Sequence, residues 1–171
     1  RPERVRTLTL MSTTPAGPSA GEPLPGPAPR VAATFSSPDP EPDWSDRDAV
    51  LRYRVDGERP YAGTLGFDEA RVRRLAAAEI DRTTDMAASM TNHFLLDDAW
   101  PADGDLARIT APTLVLHGTA DPMFPVEHGR ALARRIPGAR LVELPGVGHE
   151  QPPPQLWDVA VPAILGHTTG R

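Results

Sequence analysis

The stretch Ile109 to Pro125, ITAPTLVLHGTADPMFP, constrains the fold of this chain more than any other. Thr113, Leu114, Val115 and Leu116 form a continuous apolar run between Pro112 and Gly118. The run is too short for a helix and has the pattern of a parallel strand covered on both faces. Asp121 follows at the carboxyl end of that strand, and Pro122 pushes its backbone toward an extended or turn conformation. The carboxylate is therefore expected on a loop at the strand end, where open α/β sheets bind their ligands.

A second stretch, Arg140 to Glu150, repeats the arrangement, with a short strand at Leu141 to Leu144 and a Gly-rich loop presenting His149. Between the strands, Pro125 suits the first turn of a helix, and Ala131, Leu132 and Ile136 give it an apolar stripe. Arg134 and Arg135 lie near its C-terminal dipole and Gly138 can end it. The whole reads as a βαβ unit. A right-handed crossover makes the strands parallel, so the loops bearing Asp121 and His149 are expected at one edge of the sheet.

On these residues the chain resembles the α/β-hydrolase superfamily: LVLHGTADPMFP followed by LPGVGHE is similar to its acid and histidine motifs. The opening RVRTLTLMSTTP and the Pro-rich LPGP segment resemble small-molecule esterases of the aclacinomycin methylesterase type. The resemblance implies that Asp121 is the acid and His149 the base of a Ser-His-Asp triad, in the order nucleophile, acid, histidine. It also implies a parallel sheet with an inserted α-helical cap. The opening segment resembles the part of the family that follows the nucleophile elbow, which places the elbow upstream of Arg1 and makes this the C-terminal part of a longer protein. A complete small domain with a frayed N-terminus is the alternative.

Composition narrows the partners. With 171 residues, 39% of them apolar, and a net charge of −5, the chain is expected to be soluble and cytoplasmic. The acidic balance gives no electrostatic reason to expect nucleic acid or an anionic membrane. No cysteine is present, which excludes a disulfide framework and a thiol nucleophile. No apolar stretch approaches membrane-spanning length. The expected partner is a small-molecule ester, with no cofactor.

In chain order, residues 1–12 are expected to form a core strand, 13–105 a Pro-rich entrance and helical cap, and 106–171 the C-terminal core. Proline, glycine and serine dominate from Thr13 to Asp43, where no regular element is expected. Ser45 reads as an N-cap for a helix reaching about Val55, with Asp48 completing a capping-box variant. Val72, Leu75, Ala76 and Ile80 predict an amphipathic helix, and a further one is expected from about Thr84 through Asn92. Met86, Met90, His93, Phe94 and Trp100 read as packing residues. A closing helix over Gln155 to Leu165 carries Leu156, Val159, Ala160, Ala163 and Ile164 on one face, with Pro162 expected to kink or shorten it.

His117 reads as a hydrogen-bonded core or site-wall residue and His128 as exposed. A metal reading would gather His117, Asp121, Glu127 and His128, but the spacing matches no metal motif and leaves His149 unexplained; no metal is expected. Gly17-Pro-Ser19-Ala-Gly21 satisfies G-x-S-x-G. Pro15, Pro18, Pro23 and Pro25 forbid the strand before it and the helix after it that an elbow requires, so Ser19 is not assigned as nucleophile. Two functions follow: an ester hydrolase to which this chain contributes the acid and the base, or a non-catalytic small-molecule or protein-binding domain of the same fold. Alone, the chain is expected to be poorly soluble or molten, because an unpaired first strand leaves a sheet edge open.

Overall fold

The computed structural model describes residues 2–15, 23–92 and 105–170. Strands β1 (Leu8–Met11), β2 (Thr113–Gly118) and β3 (Arg140–Leu144) form one parallel sheet in that order. Leu8 pairs with Thr113 and Met11 with Leu116, while Leu114 pairs with Arg140 and Gly118 with Leu144. Every residue of β2 is buried. Burying each of Leu114, Val115 and Leu116 contributes about 1.5–3 kcal/mol, which fixes this strand at the sheet's centre.

Side chains alternate across the sheet, and a helix covers each face. Helix α5 (Glu127–Arg135) packs on the face of Val115 and Leu141, adding Leu132, with Ile136 just beyond its end. Helix α6 (Trp157–Thr169) covers the face of Val142 and Leu144 with Ala160. Helix α5 matches its sequence pattern, with Glu127 in the first turn and Arg134 and Arg135 in the last; Gly138, at φ +70°, makes the turn beyond it.

Between β1 and β2 the described residues include the α-helices α1 (Pro29–Ser36), α2 (Arg47–Glu58), α3 (Glu69–Arg82) and α4 (Met86–Thr91). Leu51, Val55 and Ala76 form a small core between α2 and α3, joined by Phe67, Val72, Ala77 and Ile80. Leu75, expected on the apolar stripe of α3, is instead exposed. Asp68 caps α3 through the Arg71 amide and Asp85 caps α4 through the Ala88 amide.

Three local expectations are corrected. Helix α1 lies where none was expected: Pro29 is tolerated in a first turn, and no proline or glycine interrupts Arg30–Ser36. Its buried Val31 and the Arg30 bonds to the carbonyls of Pro60 (2.8 Å) and Ala62 (2.9 Å) hold it in place. The N-cap of α2 is Asp46, which accepts from the Asp48 and Ala49 amides, while the Ser45 hydroxyl turns away to donate to Asp43 at 2.6 Å. Helix α6 runs through Pro162 to Thr169, and Val159, expected on its buried face, is exposed.

Candidate active site

Asp121, the candidate acid, is held first by its own loop. Asp121 Oδ1 accepts from the amides of Met123 and Phe124, both at 2.9 Å, closing the turn that Pro122 begins. Oδ2 is left for His149, whose Nδ1 lies 2.9 Å away. A carboxylate accepts only, so Nδ1 carries the proton. The Asp121 side chain is 0% exposed and that of His149 27%, so the charged end is enclosed and the imidazole reaches the surface. A buried carboxylate is tolerable only when paired, and these three bonds pair it.

The two loops are also bonded to each other: the Ala120 amide donates to the Val147 carbonyl at 3.1 Å, and the Gly146 amide to Thr119 Oγ1 at 2.9 Å. The sequence expectation that Asp121 and His149 meet at one sheet edge therefore matches their placement. His117 lies behind them, fully buried, with Nε2 2.7 Å from the Phe124 carbonyl. That nitrogen is also 3.7 Å from Asp121 Oδ2; its single N–H serves the shorter contact, and the longer one is proximity rather than a hydrogen bond.

His128, expected exposed, is buried, which corrects that reading. Its Nε2 lies 2.8 Å from the Pro25 carbonyl and its Nδ1 2.8 Å from Thr14 Oγ1, so it ties the chain after β1 and the Pro-rich segment to α5. With both His128 nitrogens committed, His117, Asp121, Glu127 and His128 do not converge; among the described residues no group of three or more potential ligands could hold a metal. The G-x-S-x-G around Ser19, together with His93, Phe94 and Trp100, lies outside the described residues.

Further residues shape the site, and sequence reasoning gave Phe124, Tyr61 and Arg71 no part in it. Phe124 stands edge-on to the His149 ring at 5.3 Å and Tyr61 lies on another side at 5.9 Å. The Tyr61 carbonyl accepts the His149 amide at 2.9 Å, and the Leu65 amide donates to the Gly146 carbonyl at 3.2 Å. Gly63 and Gly148 face each other where this segment crosses the histidine loop, and a Cβ on either would collide with the other strand's backbone. Arg71 of α3 pairs with Glu150 at 3.0 Å and reaches the Gln151 carbonyl at 3.3 Å. Its side chain is 13% exposed, although its place opposite the apolar stripe reads as a solvated face. A cavity of about 460 Å³ opens beside His149, lined by Tyr61, Leu65, Phe67, Arg71 and Val72 among others.

Chemically, a buried carboxylate holding Nδ1–H of an exposed imidazole leaves Nε2 as the nitrogen able to take and return a proton. No helix among the described residues is long and apolar enough to cross a membrane.

Known proteins place this geometry in context. The chain is 35% identical over 131 residues to the rhodomycin D methylesterase DauP of Streptomyces sp. (strain C5), covering 75% of this chain and 43% of that protein. It is 37% identical over 101 residues to the rhodomycin D methylesterase DnrP of Streptomyces peucetius, covering 59% of this chain and 33% of that one. The chain thus spans less than half the length of these two relatives. A hydrolase structure from Pseudomonas aeruginosa PA01 superposes with a TM-score of 0.58 at 24% identity, covering 99% of this chain and 56% of that one. The 2-hydroxy-6-oxo-6-phenylhexa-2,4-dienoate hydrolase of Rhodococcus sp. strain RHA1 gives 0.55 at 22%, covering 98% and 57%. At those identities the likeness is one of fold. A family profile described as alpha/beta hydrolase fold matches residues 1–152, and with the parallel sheet and its strand-end loops already in view, the chain belongs to the alpha/beta hydrolase fold family.

Proposed function

We propose that this chain contributes the acid and base of a serine-type hydrolase acting on a small-molecule carboxylic ester. The observation that carries the reading is the 2.9 Å bond from His149 Nδ1 to the enclosed Asp121 carboxylate. In the proposed reaction the His149 imidazole removes the proton of an attacking serine at Nε2. Asp121 stabilises the imidazolium, and the same nitrogen then returns the proton to the leaving alcohol. That the two relatives are methylesterases supports an ester as substrate. The cavity beside His149 is of a size that holds a small organic molecule.

The serine is proposed to stand on the half of the fold beyond β1. Among the described residues β1 is paired on one edge only, and the two methylesterases are more than twice as long as the region they share with this chain. The test is hydrolysis of an activated ester by the complete hydrolase and by the 171-residue chain. The complete protein is expected to turn over, to lose turnover on His149→Ala and to keep it on Ser19→Ala, while the 171-residue chain stays at background. Turnover by that chain, abolished by Ser19→Ala, would make Ser19 the nucleophile and overturn this reading.

A further inference from the structure

His117 has one ring nitrogen well used and the other stranded. Nε2 donates to the Phe124 carbonyl at 2.7 Å, whereas Nδ1 is buried with no hydrogen-bond partner. The stranded nitrogen is turned toward α5: a Cβ at Gly129 would stand 2.8 Å from Nδ1 and 2.6 Å from both Cβ and the ring carbon Cγ of His117. Only a glycine lets the helix come so close. A buried polar atom without a partner is destabilising, and a side chain whose task was to fill this space would be apolar. What the imidazole adds over an apolar residue is the bond from Nε2.

That bond ends on the residue that fixes both members of the pair. The Phe124 amide donates to Asp121 Oδ1, its carbonyl accepts from His117, and its ring stands edge-on to His149 at 5.3 Å. Freeing the carbonyl would let residues 122–125 turn, carrying off one of the two amides that orient the carboxylate and the ring that abuts the imidazole. We propose that His117 is a positioning residue that locks the acid loop through Phe124, so that Asp121 Oδ2 stays aimed at His149. This rests on the assignment of Asp121 and His149 as acid and base.

The test uses two amides that differ in reach. In His117→Gln the side-chain N–H stands about where Nε2 does and can still donate to Phe124; in His117→Asn it stands near the Nδ1 position and cannot. The first readout is the imidazole ¹⁵N spectrum of His149 in the complete hydrolase. The second is kcat and KM of the complete hydrolase. His117→Asn is expected to weaken the Nδ1–H signal and lower kcat about 100-fold with KM little changed, as misplacement by about 1 Å does; His117→Gln is expected to keep both within a few-fold. Equal behaviour of the two variants, or loss of both readouts in His117→Gln, would overturn the proposal. Should His117→Asn not fold, His117→Gln decides alone by the same two readouts. Asp121→Asn separates the two levels. If it alters the His149 spectrum while His117→Asn does not, this inference fails and the acid–base assignment stands; if Asp121→Asn leaves the spectrum unchanged, the assignment itself fails.

Discussion

The acid loop and the histidine loop leave neighbouring strands at the same edge, yet they are held by different parts of the chain. Asp121 is fixed by residues within four positions of it: the Met123 and Phe124 amides and, through Phe124, His117. His149 takes its backbone placement from Tyr61, Gly63 and Leu65, and Arg71 grips Glu150 beside it; all four lie more than seventy residues upstream. Asp121, the proposed acid, is thus built into the sheet, whereas His149, the proposed base, is held partly by the helical insert. In such an arrangement a change in the insert can move the base and leave the acid alone.

Substitutions in the two loops should separate these supports. The largest loss is expected from Asp121→Asn in the complete hydrolase, on the order of 10⁴-fold in kcat if the pair works as triads do. Next come Gly63→Ala and Gly148→Ala, which force a methyl into opposing backbone. Each is expected to lower stability by about 1–3 kcal/mol, read from denaturant unfolding, and kcat by about 100-fold. The amide signals of Met123 and Phe124 should stay in place; their displacement would show that the bonds of Ala120 and Thr119 to the histidine loop carry the change into the acid loop.

Arg71→Met keeps an unbranched apolar stem and removes the bonds to Glu150 and Gln151. It is expected to lower kcat about tenfold and stability by about 1 kcal/mol, since the pair is only partly screened by solvent. Arg130→Gln is the smallest and concerns neither loop. Arg130 bridges α5 to β3 by bonding both oxygens of Glu143 and holds that carboxyl below its ordinary range, chiefly through the side-chain bond. A depressed carboxyl contributes stability above its unfolded pKa and loses it as pH falls through the folded value. The deficit of Arg130→Gln, small for so exposed a pair, should therefore be present at pH 7 and vanish as pH falls through the depressed folded value of Glu143. Activity of the complete hydrolase should be unchanged at pH 7.

The same contrast explains what the sequence disclosed. The strand pair, the helix between them and the meeting of Asp121 with His149 were legible because apolar runs, glycines and prolines encode them locally. Arg71 was not, because a charged residue opposite an apolar stripe looks the same whether it meets water or a carboxylate from β3's loop. His128 was misread for a like reason: its partners, Thr14 and Pro25, lie in a segment with no periodicity. Helix α1 was hidden by the prolines around it, although the first turn of a helix accepts one. Ser45 and Asp46 are equivalent as caps in sequence, and only the folded contacts of each tell them apart.

The tautomer of His149 tests the acid–base pairing most directly. In the unsubstituted complete hydrolase, the neutral imidazole ¹⁵N spectrum of His149 should report a proton on Nδ1, directed at Asp121 Oδ2. In Asp121→Asn the amide oxygen is held at the Oδ1 position by the Met123 and Phe124 amides. Its NH₂ therefore faces Nδ1, and the proton should move to Nε2. A proton on Nε2 in the unsubstituted hydrolase, or one that stays on Nδ1 after Asp121→Asn, would contradict the pairing.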